Sequence, residues 1–82
     1  MFYKIILVKI GNREKAALEA QKLLTEFGCN IKTRLGLHNV QRDACSPLGL
    51  LILEVVAEAK EITAFVKKLN AIKSVSAKYM KI

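Results

Sequence analysis

Cysteine is scarce in this 82-residue sequence, two residues in all, and proline and histidine occur once each. Two cysteines do not make the disulfide framework that holds small secreted domains together. No apolar run approaches the roughly 18 residues that span a bilayer; IILVKI is flanked by Lys4 and interrupted by Lys9. The first residues carry no signal-peptide cleavage pattern and lead directly into a helix cap, so a cytoplasmic location with no membrane partner is expected. Catalytic sets are missing as well: there is no assignable Ser/His/Asp or Cys/His/Asn group, no paired-carboxylate motif and no glycine-rich phosphate loop. The expectation is a protein that is not an enzyme and holds no cofactor. Acid is in short supply, with seven Asp and Glu against fourteen Lys and Arg, a formal net charge of +7. That balance favours anionic partners in general, and a solvated lysine-rich surface meets it as well as a nucleic-acid footprint does.

What the sequence does have is hydrophobic patterning, in 52% of its residues. Phe2 to Ile10 is apolar on both faces, as a central strand covered on two sides would be. Gly11 turns the chain, Asn12 suits a helix N-cap, and Ala16, Ala20, Leu23, Leu24 and Phe27 recur at helical spacing up to Gly28, where a C-terminal cap belongs. From Cys29 to His38 the residues alternate, with Ile31, Thr33, Leu35 and Leu37 on one side, as in an edge strand with one wet face. NVQRDACSP is polar, contains Pro47 and reads as a hairpin connection. Leu48 to Val56 is a second doubly apolar strand, broken only by Glu54, which is expected near a sheet end or paired with a neighbouring lysine. Ile62, Phe65, Val66 and Leu69 form the stripe of a second helix, with Glu58 and Glu61 early and Lys67 and Lys68 late, as the helix dipole prefers. Val75, Ala77 and Tyr79 then alternate with polar residues in a second edge strand.

The order βαββαβ, in two similar halves with no linker, predicts one α+β domain over residues 1–82, a ferredoxin-like sandwich. Right-handed crossovers place both helices on one face of an antiparallel sheet of order 4-1-3-2. The central strands would then present apolar side chains on the uncovered face too. Burying that strip drives self-association, so a homodimer or higher oligomer is expected, formed through the open face or the edges.

Two candidate sites follow. In the first strand-to-helix turn, Gly11, Asn12 and Arg13 combine free backbone N–H groups with a guanidinium, a seat for a carboxylate or phosphate; the plain alternative is a solvated first turn. His38 and Cys45 are candidate metal ligands or a redox pair, short of the three or four protein ligands a zinc or nickel site takes unless a second copy supplies more. Cys29 lies about 30 Å from Cys45 if the intervening strand is extended, too far for a disulfide, and reads as a small, partly buried apolar residue. Three functions remain: a regulatory module binding a small anionic ligand or a partner protein, a nucleic-acid-binding protein using its basic surface, and a metal or redox sensor. Nucleic acid ranks low because the central strands lack the stacking aromatics of an RNA-recognition motif.

GNREKA after strand one, RLG at Arg34–Gly36, GLLIL at Gly49–Leu53 and LNAIKSVSAK at Leu69–Lys78 resemble the iron-only hydrogenase system regulators, short standalone proteins, over nearly the whole chain. Those proteins look like ACT domains and the C-terminal domain of the nickel-responsive repressor. The resemblance implies a ferredoxin-like fold, oligomerisation, a regulatory role and, in the wider group, amino acids or metal ions bound at interfaces. FGCNI, from Phe27 to Ile31, is similar to the helix-to-strand joint of ACT domains. Ser74 and Ala77 stand where the family has Gly and Val.

Overall fold

The computed structural model describes residues 2–11, 14–41 and 44–82. Strands β1 (Lys4–Ile10), β2 (Ile31–Gln41), β3 (Ala44–Val55) and β4 (Val75–Lys81) form one sheet in the order β2-β3-β1-β4, every neighbour antiparallel. Helices α1 (Glu14–Glu26) and α2 (Ala59–Asn70) are joined to it by short connections, with a 3-10 turn at Gly28–Asn30 after α1. This is the expected order read from the other edge.

Alternation explains which side of each strand the helices cover. Ile6 and Val8 of β1, Leu53 and Val55 of β3, and Val75 and Ala77 of β4 are buried beneath Ala16, Ala20 and Leu24 of α1 and Ile62, Phe65 and Leu69 of α2. Full burial of side chains such as Ile6, Leu53, Ile62 and Leu69 stabilises the fold by about 1.5–3 kcal/mol each. Phe27, just beyond α1, stacks on Phe65 with ring centroids 4.1 Å apart and joins the two helices.

Four local expectations change. Gly28 does not cap α1 in the left-handed region; no described glycine has positive φ, and the chain tightens instead into a 3-10 turn in which Asn30 N–H donates to Phe27 O at 2.9 Å. Cys29 falls in that turn rather than in β2, and it is free and exposed rather than partly buried.

The alternation of β2 is interrupted at its start. Ile31 pairs with Val55, but Thr33 pairs with Glu54. This one-residue bulge switches faces, so Ile31 packs on the core while Thr33 and Leu35 face away from the helices. The hairpin is also longer than the polar composition of NVQRDACSP suggests. Strand β2 runs on to Gln41 and β3 begins at Ala44, with Cys45 opposite Val40. Pro47 is tolerated there because it lies at a second register shift and because β3 has lost its other neighbour, β1, beyond Gly49.

Candidate functional site

Strand β1 ends against the turn that precedes β4. Gly11 N–H donates to Ser74 O at 2.6 Å. A Cβ on Gly11 would come within 2.8 Å of the Ser74 Cβ and 2.9 Å of its carbonyl oxygen, so the glycine is required by close approach of two chain segments. Ser74 itself has φ of 75°, a conformation ordinarily given to glycine. The two turns are thereby locked together at one end of the sheet.

Pairing then links this end to the other candidate. His38, Gly49, Ile10 and Val75 form a single row across β2, β3, β1 and β4. His38 thus lies two strand spacings, about 10 Å, from the β1 position that precedes Gly11. Asn12 and Arg13 lie outside the described residues. Cys45 is placed further out, on the part of β3 that pairs only with β2, opposite Val40 and thus one pair beyond His38 along the ladder. Among the described residues no group of three or more His, Cys, Asp and Glu gathers as a metal site.

A feature missed by the sequence reading lies at the opposite end. An open cavity of about 650 Å³ is lined by Tyr3, Lys4, Lys32, Glu54, Glu58 and Glu61, among others. Lys4 Nζ donates to Ala57 O at 2.8 Å, and Lys32 Nζ lies 3.8 Å from Glu54 Oε2, the lysine partner expected for that acid. The signal was in the sequence, since Glu58 and Glu61 open α2, but only the sheet brings β1's start beside them.

The sheet face away from the helices is the largest chemical feature. Register arranges it in rows: Thr33, Glu54, Ile5 and Met80; then Leu35, Ile52, Leu7 and Lys78; then Leu50, Lys9 and Ser76. Tyr3, Val56 and Ile82 continue the same face by alternation, and Tyr3 and Ile82 exchange backbone hydrogen bonds of 2.6 and 2.9 Å. Of the eight large hydrophobics exposed among the described residues, six belong to this face: Tyr3, Leu35, Leu50, Val56, Met80 and Ile82. Leu35 is 50% exposed and Ile82 66%. Exposed apolar residues are normally scattered singly over a surface, and here they gather on one side.

No family model matches the sequence, and no curated protein matches it. Solved structures do. An uncharacterized protein from Thermotoga maritima superposes with a TM-score of 0.85 at 24% identity, over 100% of this chain and 99% of that one. The nitrogen regulatory PII-like protein CPII from Thiomonas intermedia K12, bound to ADP, AMP and bicarbonate, gives 0.66 at 15% identity, covering 100% and 91%. The ACT domain of GTP pyrophosphokinase from Chlorobium tepidum gives 0.60 at 16% identity, covering 98% and 97%. The fold is a ferredoxin-like α+β sandwich, shared with these structures. No helix among the described residues is long and apolar enough to cross a membrane.

Proposed function

We propose that this chain is a non-enzymatic, cytoplasmic regulatory module that works as a homo-oligomer and binds a small anionic ligand, or a partner protein, at the end of the sheet bearing Gly11, Asn12 and Arg13. The observation that carries the reading is the concentration of exposed apolar side chains on the sheet face opposite the helices, which gives an 82-residue chain a reason to associate. Association also enlarges the surface from which a ligand site is built, since a chain this small has little interior to spare. The fold shared with an ACT domain and with CPII supports regulation over catalysis, and the ADP, AMP and bicarbonate bound by CPII give the chemistry of anion to try first. The segments resembling the iron-only hydrogenase system regulators support the same reading and suggest a hydrogenase system as what is regulated.

Calorimetric titration with ADP, AMP and bicarbonate in turn tests the ligand. Binding of one of them, weakened at least tenfold by Arg13→Ala, is expected. Equal affinity in Arg13→Ala moves the site elsewhere, and a salt-sensitive shift of labelled nucleic acid in place of small-ligand binding overturns the reading.

A further inference from the structure

The sheet ends in two edge strands, β2 and β4, and backbone hydrogen bonding decides which of them can take another strand. Tyr3 exchanges backbone bonds with Ile82, and Gly11 N–H donates to Ser74 O, which fixes the alternation along β1. Ile6 and Val8 therefore turn their N–H and C=O groups to β3, opposite Leu53 and Leu51. Leu53 and Leu51 face β1 in turn, so the residues paired with them on β2, Arg34 and Gly36, point their backbone groups out of the sheet. On β4 the outward groups belong to Val75, Ala77, Tyr79 and Lys81. The first part of that edge is already closed: Val75 N–H donates to Ile72 O at 3.1 Å, and the Asn70 amide takes both backbone groups of Ala77. Nothing among the described residues closes Arg34 and Gly36 in this way.

We infer that the β2 edge at Arg34–Gly36 takes an extended acidic segment of another protein as a fifth strand, antiparallel like every other pair in the sheet, with an aromatic side chain opposite Gly36 and a carboxylate opposite Arg34. Gly36 gives the first reason. Its φ is not positive, and a Cβ there would meet only the tip of Leu51, Cδ2 at 3.3 Å, so nothing inside the chain demands a glycine. A glycine within a strand weakens it and marks a place where another backbone approaches closely. The gap beside it leaves Leu51 half-buried on the helix side of the sheet, and an aromatic ring from a facing strand fills such a gap. Arg34 gives the second reason. Its exposed guanidinium donates to Gln21 Oε1 at 2.7 Å, and among the described residues no carboxylate pairs with it. Arg34 and Gly36 share the helix side, two positions apart, so two partner residues at the same spacing answer both. The partner residue between them falls opposite Leu35, 50% exposed on the other side, and is apolar. Read from N- to C-terminus, the recognised pattern is aromatic, apolar, acidic.

A second copy of this chain is a poor occupant. Its edge strands read IKTRLGLHNVQ and VSAKYMK, with no carboxylate in either, so pairing β2 with one of them leaves Arg34 facing cations or neutral groups. The docking stretch is also bounded. Register is regular from Thr33 to His38 and shifts on either side, and at the first shift stands Lys32, whose side chain is 63% exposed. A bulge and a lysine together discourage pairing beyond that point. This surface is separate from the Gly11 turn, and the inference holds whether or not an anion binds there.

Titration of the whole chain with a fluorescein-labelled peptide, Thr-Thr-Phe-Val-Glu-Thr-Thr, measures affinity by anisotropy and the docking edge by amide hydrogen exchange. Saturable binding is expected, with exchange slowed at the Arg34 and Gly36 amides and unchanged at Tyr79 and Lys81. N-methylation of the peptide's Phe removes the N–H that donates to Gly36 O and abolishes binding, whereas N-methylation of its Val, whose N–H points away from β2, leaves the affinity within about twofold. Lys in place of the peptide's Glu weakens binding at least about tenfold, as does Arg34→Glu in the protein. Gly36→Val, which fills the gap and keeps the strand, has the same effect, with the fold of both variants checked by circular dichroism. Absence of binding, or equal affinity of the two N-methyl peptides, overturns the inference, and so does protection that falls on Tyr79 and Lys81 instead. Undiminished binding of the Lys peptide overturns the acidic occupant. Slowed exchange at Arg34 and Gly36 in the chain alone, growing with its concentration, places a second copy on β2 and overturns the foreign strand.

Discussion

Half-buried Gly11 and exposed Ser74 meet in the tightest glycine contact among the described residues. The first admits no Cβ without displacing the Ser74 backbone, and the second holds a left-handed conformation with a side chain attached. Gly11→Ala is therefore expected to destabilise the protein by about 1–3 kcal/mol through overpacking, as measured by urea unfolding. Ser74→Gly works in the opposite direction. It removes a left-handed penalty of about 1–2 kcal/mol and gives part of it back as unfolded-chain entropy, for a net gain of about 0.5–1 kcal/mol in the same measurement. If both changes are neutral, the two turns are not in contact. The sequence marks Gly11 as a turn residue, and its close approach to Ser74 cannot be read there, because the partner lies 63 positions further along the chain.

Among the elements, β4 depends on α2 for more than apolar contact. Asn70, the last residue of α2, donates from Nδ2 to Ala77 O at 3.0 Å and accepts Ala77 N–H on Oδ1 at 2.7 Å, satisfying the backbone of an edge strand with an amide. Asn70→Ala is expected to cost about 1–3 kcal/mol and to speed hydrogen exchange at Ala77 ahead of the rest of the sheet. Uniform exchange across β4 would show that the clamp contributes nothing. Phe65→Ala, which removes both core volume and the stack on Phe27, is expected to cost about 3–5 kcal/mol in thermal or urea unfolding. The element order and sheet order were legible because the doubly apolar strands Phe2–Ile10 and Leu48–Val56 had to be central, while Val75, Ala77 and Tyr79 had to face one way. Strand β2 was legible in type but not in facing. A single bulge between Ile31 and Thr33 reverses the facing of Thr33, Arg34 and Leu35, and nothing in a smooth alternation announces it. Pro47 misplaced the hairpin for a related reason, since a proline argues against a strand only where the strand has a neighbour on both sides.

For the molecule as a whole, one sheet side is closed by helices and the other carries six of the eight exposed large hydrophobics among the described residues. The open face was legible from composition, since both central strands are apolar on both faces but for Lys4, Lys9 and Glu54. Its extension to Leu35 on β2 and to Met80 and Ile82 at the end of the chain came only from register. Gly11 was legible as a turn, the row that links it to His38 came from strand register, and Asn12 and Arg13 lie outside the described residues. Static light scattering of the purified chain at micromolar concentration tests the central claim most directly. Covering the apolar face with a second copy predicts twice the chain's 9.1 kDa mass; a single 9.1 kDa species would contradict it.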